Sequence, residues 1–220
     1  METGCIYVSM PEYVENVTAP RVSLDRRKTP DALLTSDEQR QLRKANGSLQ
    51  WLQFQTRPDL SYGVSVSQSN VETASIKHLT NVANLIRQAK QYQDFEIVFQ
   101  CHDLRRGGFL AVSDAGLGGH WDDDHGGPVR SQGAFAVLYA EEALAHHGQR
   151  GRFSLLDWRS RKIKRVVRSS FAAEALALAD ANDALQHLRG CLLEVMDPKV
   201  ERRDWERYAS RWPATLVTDA

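Results

Sequence analysis

Ser169-Ser170-Phe171-Ala172-Ala173-Glu174-Ala175-Leu176-Ala177-Leu178 opens the longest helical pattern in the chain. The two serines offer hydroxyls to a helix N-terminus, where the first backbone N–H groups have no intrahelical acceptor. From residue 171 to residue 196 apolar side chains recur at helical spacing, with Phe171, Ala175, Leu178, Leu185 and Leu192 predicted on one face, and Pro198 ends the run. A helix of that length needs a surface to lie on. Upstream, residues 95–100, 109–115, 133–140 and 152–159 are short runs rich in Phe, Val, Leu and Tyr, and downstream residues 213–219 begin another. From residue 109 the order is therefore three strands on short connections, the long helix, and a strand that crosses back. A strand returning through a helix lies parallel to an earlier one, by a right-handed crossover. The predicted class is α/β, with a mixed sheet of three antiparallel strands and one returning parallel strand.

Toward the N-terminus the pattern changes from strand to helix between residues 92 and 108, which divides the chain into segments 1–92 and 93–220. Ser36-Asp37-Glu38-Gln39 is read as a capping box, and Leu42, Ala45, Leu49 and Leu52 follow at helical intervals, predicting a helix over 37–54 that Pro58 closes. Ile76, Leu79, Val82, Ala83, Ile86 and Ala89 form a second apolar stripe. The first segment is thus expected to be mostly helical.

At 220 residues the chain holds one or two domains, and its 28 Lys and Arg against 28 Asp and Glu, with 42% apolar residues, exclude wholesale disorder and a uniformly basic coat for nucleic acid. No run approaches a membrane span, and the opening METGCIYVSMPEYVENV lacks a basic head followed by an apolar stretch. The expectation is a chain without a targeting signal or membrane partner, in the cytoplasm or nucleus. Cys5, Cys101 and Cys191 are odd in number and contain no Cys-x-x-Cys pair, which fits reduced thiols and speaks against a zinc module.

Three acids fall at element ends: Asp114 on the first strand of the sheet, Glu174 in the first turn of the long helix, and Asp219 on the returning strand. Any one of them alone reads as a solvated strand end or cap. If the strands of Asp114 and Asp219 are neighbours and the helix crosses above them, the three carboxylates converge, and such a cluster needs cations to neutralise it. Hard oxygen ligands suit Mg²⁺ or Mn²⁺, and two such ions serve in-line displacement at a phosphodiester. The run from 150 to 170 adds eight Lys or Arg against the single acid Asp157, directly before that helix. Trp158, Arg159, Arg161, Lys162, Lys164, Arg165 and Arg168 are accordingly candidates for binding a phosphate backbone.

Other clusters read more plainly. His120-Trp121-Asp122-Asp123-Asp124-His125-Gly126-Gly127 is taken as a solvated loop between strands, and His146-His147 as a hairpin tip. Trp51, Trp205 and Trp212 are read as core aromatics, whereas Trp158 beside the basic run is weighed as a base-stacking residue. Gly116-Leu117-Gly118-Gly119 lacks the Lys-Ser/Thr of a phosphate loop.

Thr56-Arg57-Pro58-Asp59-Leu60-Ser61-Tyr62, Trp158-Arg159-Ser160-Arg161-Lys162 and Ser169-Ser170-Phe171-Ala172-Ala173-Glu174-Ala175 occur in an order that resembles the copia-type retrotransposon polyprotein. Leu34-Thr35-Ser36-Asp37-Glu38 and Gly47-Ser48-Leu49 extend the resemblance to the family's L-T-x-x-E and G-S-L segments, which close its reverse transcriptase; Ser113-Asp114-Ala115 resembles the first motif of its ribonuclease H domain. The resemblance implies a reverse-transcriptase tail, thumb- or connection-like, over 1–92, and a C-terminally truncated ribonuclease H-like domain over 93–220. Asp114, Glu174 and Asp219 would then hold two Mg²⁺ or Mn²⁺ ions over an RNA/DNA hybrid. It also implies a polymerase palm upstream as partner and a fourth acid downstream, since no Tyr-x-Asp-Asp occurs in the chain, and it leaves Asp219 on a fraying terminus. Gly116 and Leu117 depart from the family's Asp and Trp, Phe171-Ala172 from its Thr-Glu, and Ala175 from its Tyr. The alternative reading is an inactive relic that keeps the fold and weak nucleic-acid binding.

Overall fold

Thr35 fixes where the first long helix begins. Its hydroxyl accepts from the Glu38 N–H at 3.4 Å while the Glu38 carboxylate accepts from the Thr35 N–H at 2.8 Å, so the helix runs Ser36–Gln55. The cap therefore stands one residue before the expected Ser36: Thr35–Glu38 and Ser36–Gln39 share the three-residue spacing, and the pair that closes is the one whose acid is also held by Arg26. Arg26 donates two further bonds to the same carboxylate, at 3.0 and 2.7 Å, and these hold the Glu38 carboxyl at about 2, well below the usual carboxylate range.

The computed structural model describes residues 4–69, 71–117, 131–200, 202–209 and 211–219. The elements in chain order are β1 (Ile6–Val8), α1 (Pro11–Asn16), α2 (Leu24–Arg27), α3 (Ser36–Gln55), α4 (Ser61–Ser69), α5 (Ile76–Gln91), β2 (Ile97–Phe99), β3 (Gly108–Gly116), β4 (Gln132–Ala140), α6 (Glu142–His147), β5 (Phe153–Lys162), α7 (Ser170–Met196), α8 (Trp205–Ala209) and β6 (Ala214–Val217). They form two compact units: one comprises Val8–Ile97 with Ser160–Lys162, the other the remaining described residues. The predicted loop at 120–127 lies outside the described residues, as do Gly118 and Gly119.

In the helical unit, Leu42, Ala45, Leu49 and Leu52 of α3 and Ile76, Leu79, Val82, Ile86 and Ala89 of α5 are buried in one core, as their spacing predicts. Ala83 stands at the margin, half-buried. Ser67 of α4 donates to the buried Asn46 of α3 at 2.7 Å, a polar tie inside the apolar layer. Pro58 starts a short 3₁₀ turn after α3, and Arg57 just before it is 1% exposed. Its guanidinium makes a two-pronged pair with Asp59, at 2.9 and 2.8 Å, and donates to the carbonyls of Ala89 and Tyr92 that terminate α5, at 2.9 and 3.2 Å. A planar fork with a fixed charge suits this double duty, since it satisfies helix-end carbonyls that otherwise lack donors.

In the second unit the sheet order is β5-β4-β3-β6. β3 and β4 pair antiparallel from Gly108↔Ala140 to Gly116↔Gln132, and β6 pairs parallel to β3 from Phe109↔Ala214 to Val112↔Val217. Glu141 N–H to Arg152 O at one end and Ile163 N–H to Ser131 O at the other show β5 antiparallel to β4. The fold is α/β with a mixed sheet, as expected. β2 belongs elsewhere, paired with β1, a strand the sequence reading did not foresee.

The buried face of α7 shares Leu185 with the predicted one and otherwise differs from it. Ala173, Ala177, Ala181 and Leu185, spaced four apart, pack on the sheet, while Phe171 is 75% exposed and Ala175 is exposed. Apolar identity pointed to the larger residues, but small side chains let a helix backbone lie close to a sheet, and that closeness selects the alanine row. His146 and His147 end the short helix α6 in the β4–β5 connection rather than a bare hairpin tip. Trp212 is buried and donates to the Leu104 carbonyl, Trp158 and Trp205 are half-buried, and Trp51 is 53% exposed against the core reading.

His102 sits edge-on to Tyr139, with ring centroids 5.4 Å apart, and its Nε2 lies 3.0 Å from the Ser154 hydroxyl. Its Nδ1 is buried without a partner among the described residues, and burial pushes the imidazole below its ordinary 6.5, with Arg152 adding to the shift and Glu141 opposing it.

Arg57→Ala should lower unfolding stability by about 3 kcal/mol, read from urea midpoints, because it strands Asp59 and two helix-end carbonyls. Because the folded-state pKa of His102 lies below its unfolded value, the stability it contributes is complete above pH 6.5 and is lost as pH falls below that. Melting temperature should therefore fall with acidification from pH 7 downward, and His102→Gln should flatten that limb.

Candidate metal centre

The site grows from the register of β3 and β6. Their pairing holds a constant offset, 109 with 214 through 112 with 217, and β6 stops at Val217. Two residues further along the same offset, Asp114 stands beside Asp219, on the same face because the side-chain period of a strand is two. Asp219 thus lies just past the returning strand rather than on it.

The backbone edge explains the third acid. Phe109 N–H points toward the β6 side, donating to Pro213 O at 2.9 Å, and by the same period Ala115 N–H points to that side beyond the end of β6. Its acceptor is Glu174 Oε1, at 3.0 Å. Ser169 caps α7, its hydroxyl accepting from Ala172 N–H at 3.2 Å, so Glu174 is the fifth helical residue and opens the second turn rather than lying in the first. Ala173 and Ala177, on either side of it, are buried with Ala115 and Ile163, which brings this turn close to the strand.

Together these constraints bring a ligand oxygen of each of Asp114, Glu174 and Asp219 within 4.8 Å of the others, the aspartates exposed and the glutamate half-buried. Two unit charges at that separation repel by about 1 kcal/mol even in water, and by more where solvent is excluded. Glu174 Oε2 is buried and has no hydrogen-bond partner among the described residues. A bare, buried carboxylate oxygen beside two further carboxylates is a donor set for a hard divalent cation, and Mg²⁺ or Mn²⁺ fits it.

Of the predicted phosphate-binding residues, Arg159, Lys164, Arg165 and Arg168 are exposed, and Trp158, Arg161 and Lys162 are half-buried. Arg159 lies over the Phe135 ring, 5.7 Å from its centroid. Arg161 and Lys162 fall in the helical unit and the others in the sheet unit. The group that sequence reasoning missed is the Ala115 N–H, which orients Glu174. Its only signal was the strand period, since a backbone donor leaves no side-chain mark.

Fold and site define an α/β unit with a carboxylate centre at the rim of a mixed sheet. The chain resembles two curated polyproteins of Arabidopsis thaliana. The retrovirus-related Pol polyprotein from transposon RE2 is 33% identical over 152 residues, 68% of this chain, and that from transposon RE1 is 32% identical over 152 residues, also 68%. The chain is a relative of retrotransposon Pol polyproteins and spans about 9% of the length of those it matches. No family model matches it, and no solved structure does. Among the described residues, no helix is long and apolar enough to cross a membrane.

Relief of the repulsion gives a measurable outcome. In EDTA, Asp114→Asn should raise the melting temperature by the equivalent of about 1 kcal/mol. Added Mg²⁺ should stabilise the unaltered chain more than this variant.

Proposed function

We propose that the sheet unit is a ribonuclease H-like module of a copia-type polyprotein, hydrolysing the RNA strand of an RNA/DNA hybrid with two Mg²⁺ or Mn²⁺ ions held by Asp114, Glu174 and Asp219. The observation that carries this reading is the meeting of three carboxylates from a strand, a helix and the end of a parallel returning strand within 4.8 Å. When bound, the ions supply Lewis-acid stabilisation to a phosphodiester undergoing in-line displacement. The chain's own part is to fix the oxygens beforehand. Ala115 N–H holds one oxygen of Glu174 and so aims the other, and the β3–β6 register sets the two aspartates side by side.

Exposed Arg159, Lys164, Arg165 and Arg168 lead into the helix of Glu174 and supply positive charge for a phosphate backbone. An A-like hybrid displays ribose 2′-hydroxyls in a wide minor groove, the feature by which an RNA strand is told from DNA. The helical unit is, on the same reading, the tail of a reverse transcriptase whose palm is an upstream partner. No polymerase motif of the Tyr-x-Asp-Asp type lies in these residues.

The test is incubation of the purified chain with a hybrid labelled on its RNA strand, in Mg²⁺ or Mn²⁺. RNA cleavage should fall at least about a hundredfold in Asp114→Asn, in keeping with the loss of a stabilising group that acts in the transition state. Equal cleavage by both proteins would overturn the nuclease reading, and hybrid binding without cleavage by the unaltered chain would identify the inactive relic. Replacing Lys164, Arg165 and Arg168 with alanine should weaken hybrid binding. The slope of log affinity against log salt should become shallower by about one for each phosphate that is no longer neutralised.

A further inference from the structure

Every residue of the four-residue strand β6 is exposed, Leu216 at 40% and Val217 at 43%. A strand that buries so little of itself gains little beyond its four rungs on β3 to hold its place. The holding comes from the residues just before it. Trp212 is 4% exposed and belongs to the core between the sheet and α7, with Phe109, Ala111 and Leu185, against partly buried Trp205 and Tyr208. Its indole N–H donates to the carbonyl of Leu104, 108 residues away along the chain. That acceptor is itself held. The Asp103 carbonyl accepts from Arg106 N–H and Gly107 N–H at 3.1 and 3.2 Å, and the Asp103 carboxylate from Arg105 N–H at 3.0 Å, closing a turn around Leu104.

Pro213 carries this placement into the strand. Its ring fixes φ, so little freedom separates Trp212 from Ala214. The Pro213 carbonyl accepts from Phe109 N–H at 2.9 Å, and Gly108 makes room for that approach, since a Cβ there would lie 2.9 Å from the same oxygen. We propose that Trp212 is the positioning residue that seats β6 on β3 and, seven residues on, sets Asp219 against Asp114. It acts through the register of the strand, and the inference rests on reading Asp114, Glu174 and Asp219 as one metal centre. Burial alone classes Trp212 as a core aromatic. The bonded indole, two residues before the first rung with β3, gives it this second role.

The test measures amide hydrogen exchange without metal, and Mg²⁺ binding by calorimetry, in the full chain and its variants. The N–H groups of Phe109 and Ala111 point toward β6, those of Leu110 and Val112 toward β4. Trp212→Ala should speed exchange at Phe109 and Ala111 at least about tenfold while Leu110 and Val112 stay protected, the signature of a strand that opens on its own. Mg²⁺ affinity should fall at least about tenfold with it, because apparent affinity scales with the fraction of chains in which the site is assembled. Trp212→Phe keeps a ring and loses the N–H, and should speed exchange at the same two amides about threefold or more, the scale of one neutral hydrogen bond. Val137→Ala, a buried change on β4, should leave both amides and the Mg²⁺ affinity as they were. Unchanged exchange at Phe109 and Ala111 in both Trp212 variants, or equal loss on the two sides of β3 in Trp212→Phe, would overturn the proposal, as would selective opening with undiminished Mg²⁺ affinity. Failure of the unaltered chain to bind Mg²⁺ would instead remove the metal centre, and the metal-free exchange data still decide whether Trp212 seats β6.

Discussion

Parallel pairing between β3 and β6 is the constraint on which the carboxylate centre rests. Four rungs, from Phe109 with Ala214 to Val112 with Val217, set Asp114 against Asp219 although 105 residues separate them along the chain. The strand that ends early matters as much as the one that continues. Where β6 stops, β3 presents an N–H that a neighbouring strand would otherwise occupy, and the helix answers it with Glu174. An edge of this kind is ordinarily a liability in a sheet. Here its unpaired donor becomes a positioning device for an acid.

The helical unit solves a different problem with a similar economy of groups. The Thr-Arg-Pro-Asp stretch reads in sequence as a family signature, and in space it is a clamp: Pro58 turns the chain, Asp59 balances the charge of Arg57, and the remaining guanidinium donors close the end of α5. A buried arginine is tolerated only when its donors are matched, and at Arg57 each nitrogen has an acceptor. Glu38 does comparable work at the start of α3, shared between the Thr35 cap and Arg26.

Much of this was legible in the residues. Both helical stripes of the first unit, the three strands after residue 107, the length of α7 and the parallel return of β6 follow from period, caps and chain order. The three acids were legible as a set only because topology reasoning placed their elements together; no local pattern distinguishes Asp114 from a solvated strand end. What escaped was of three physical kinds. The cap at Thr35 depends on Arg26 holding the acid three residues on, a long-range contact that the equal spacing of Ser36 and Gln39 does not show. The burial of the alanine row over Phe171 depends on how close two backbones lie, which residue hydrophobicity does not encode. The exposure of Trp51 depends on which face of α3 the other helices leave uncovered.

That alanine row also sets a tolerance. Ala173 and Ala177 sit directly beside Glu174, have almost no solvent exposure and pack with Ala115 and Ile163, so this turn meets the sheet through methyl groups. Carboxylate reach is short and fixed, and a shim of even two carbons under this turn would tilt the first part of α7 away from the rim and break the bond to Ala115. The smallest side chains in the layer thus act as its gauge, calibrating how far an acid projects without ever touching what it holds.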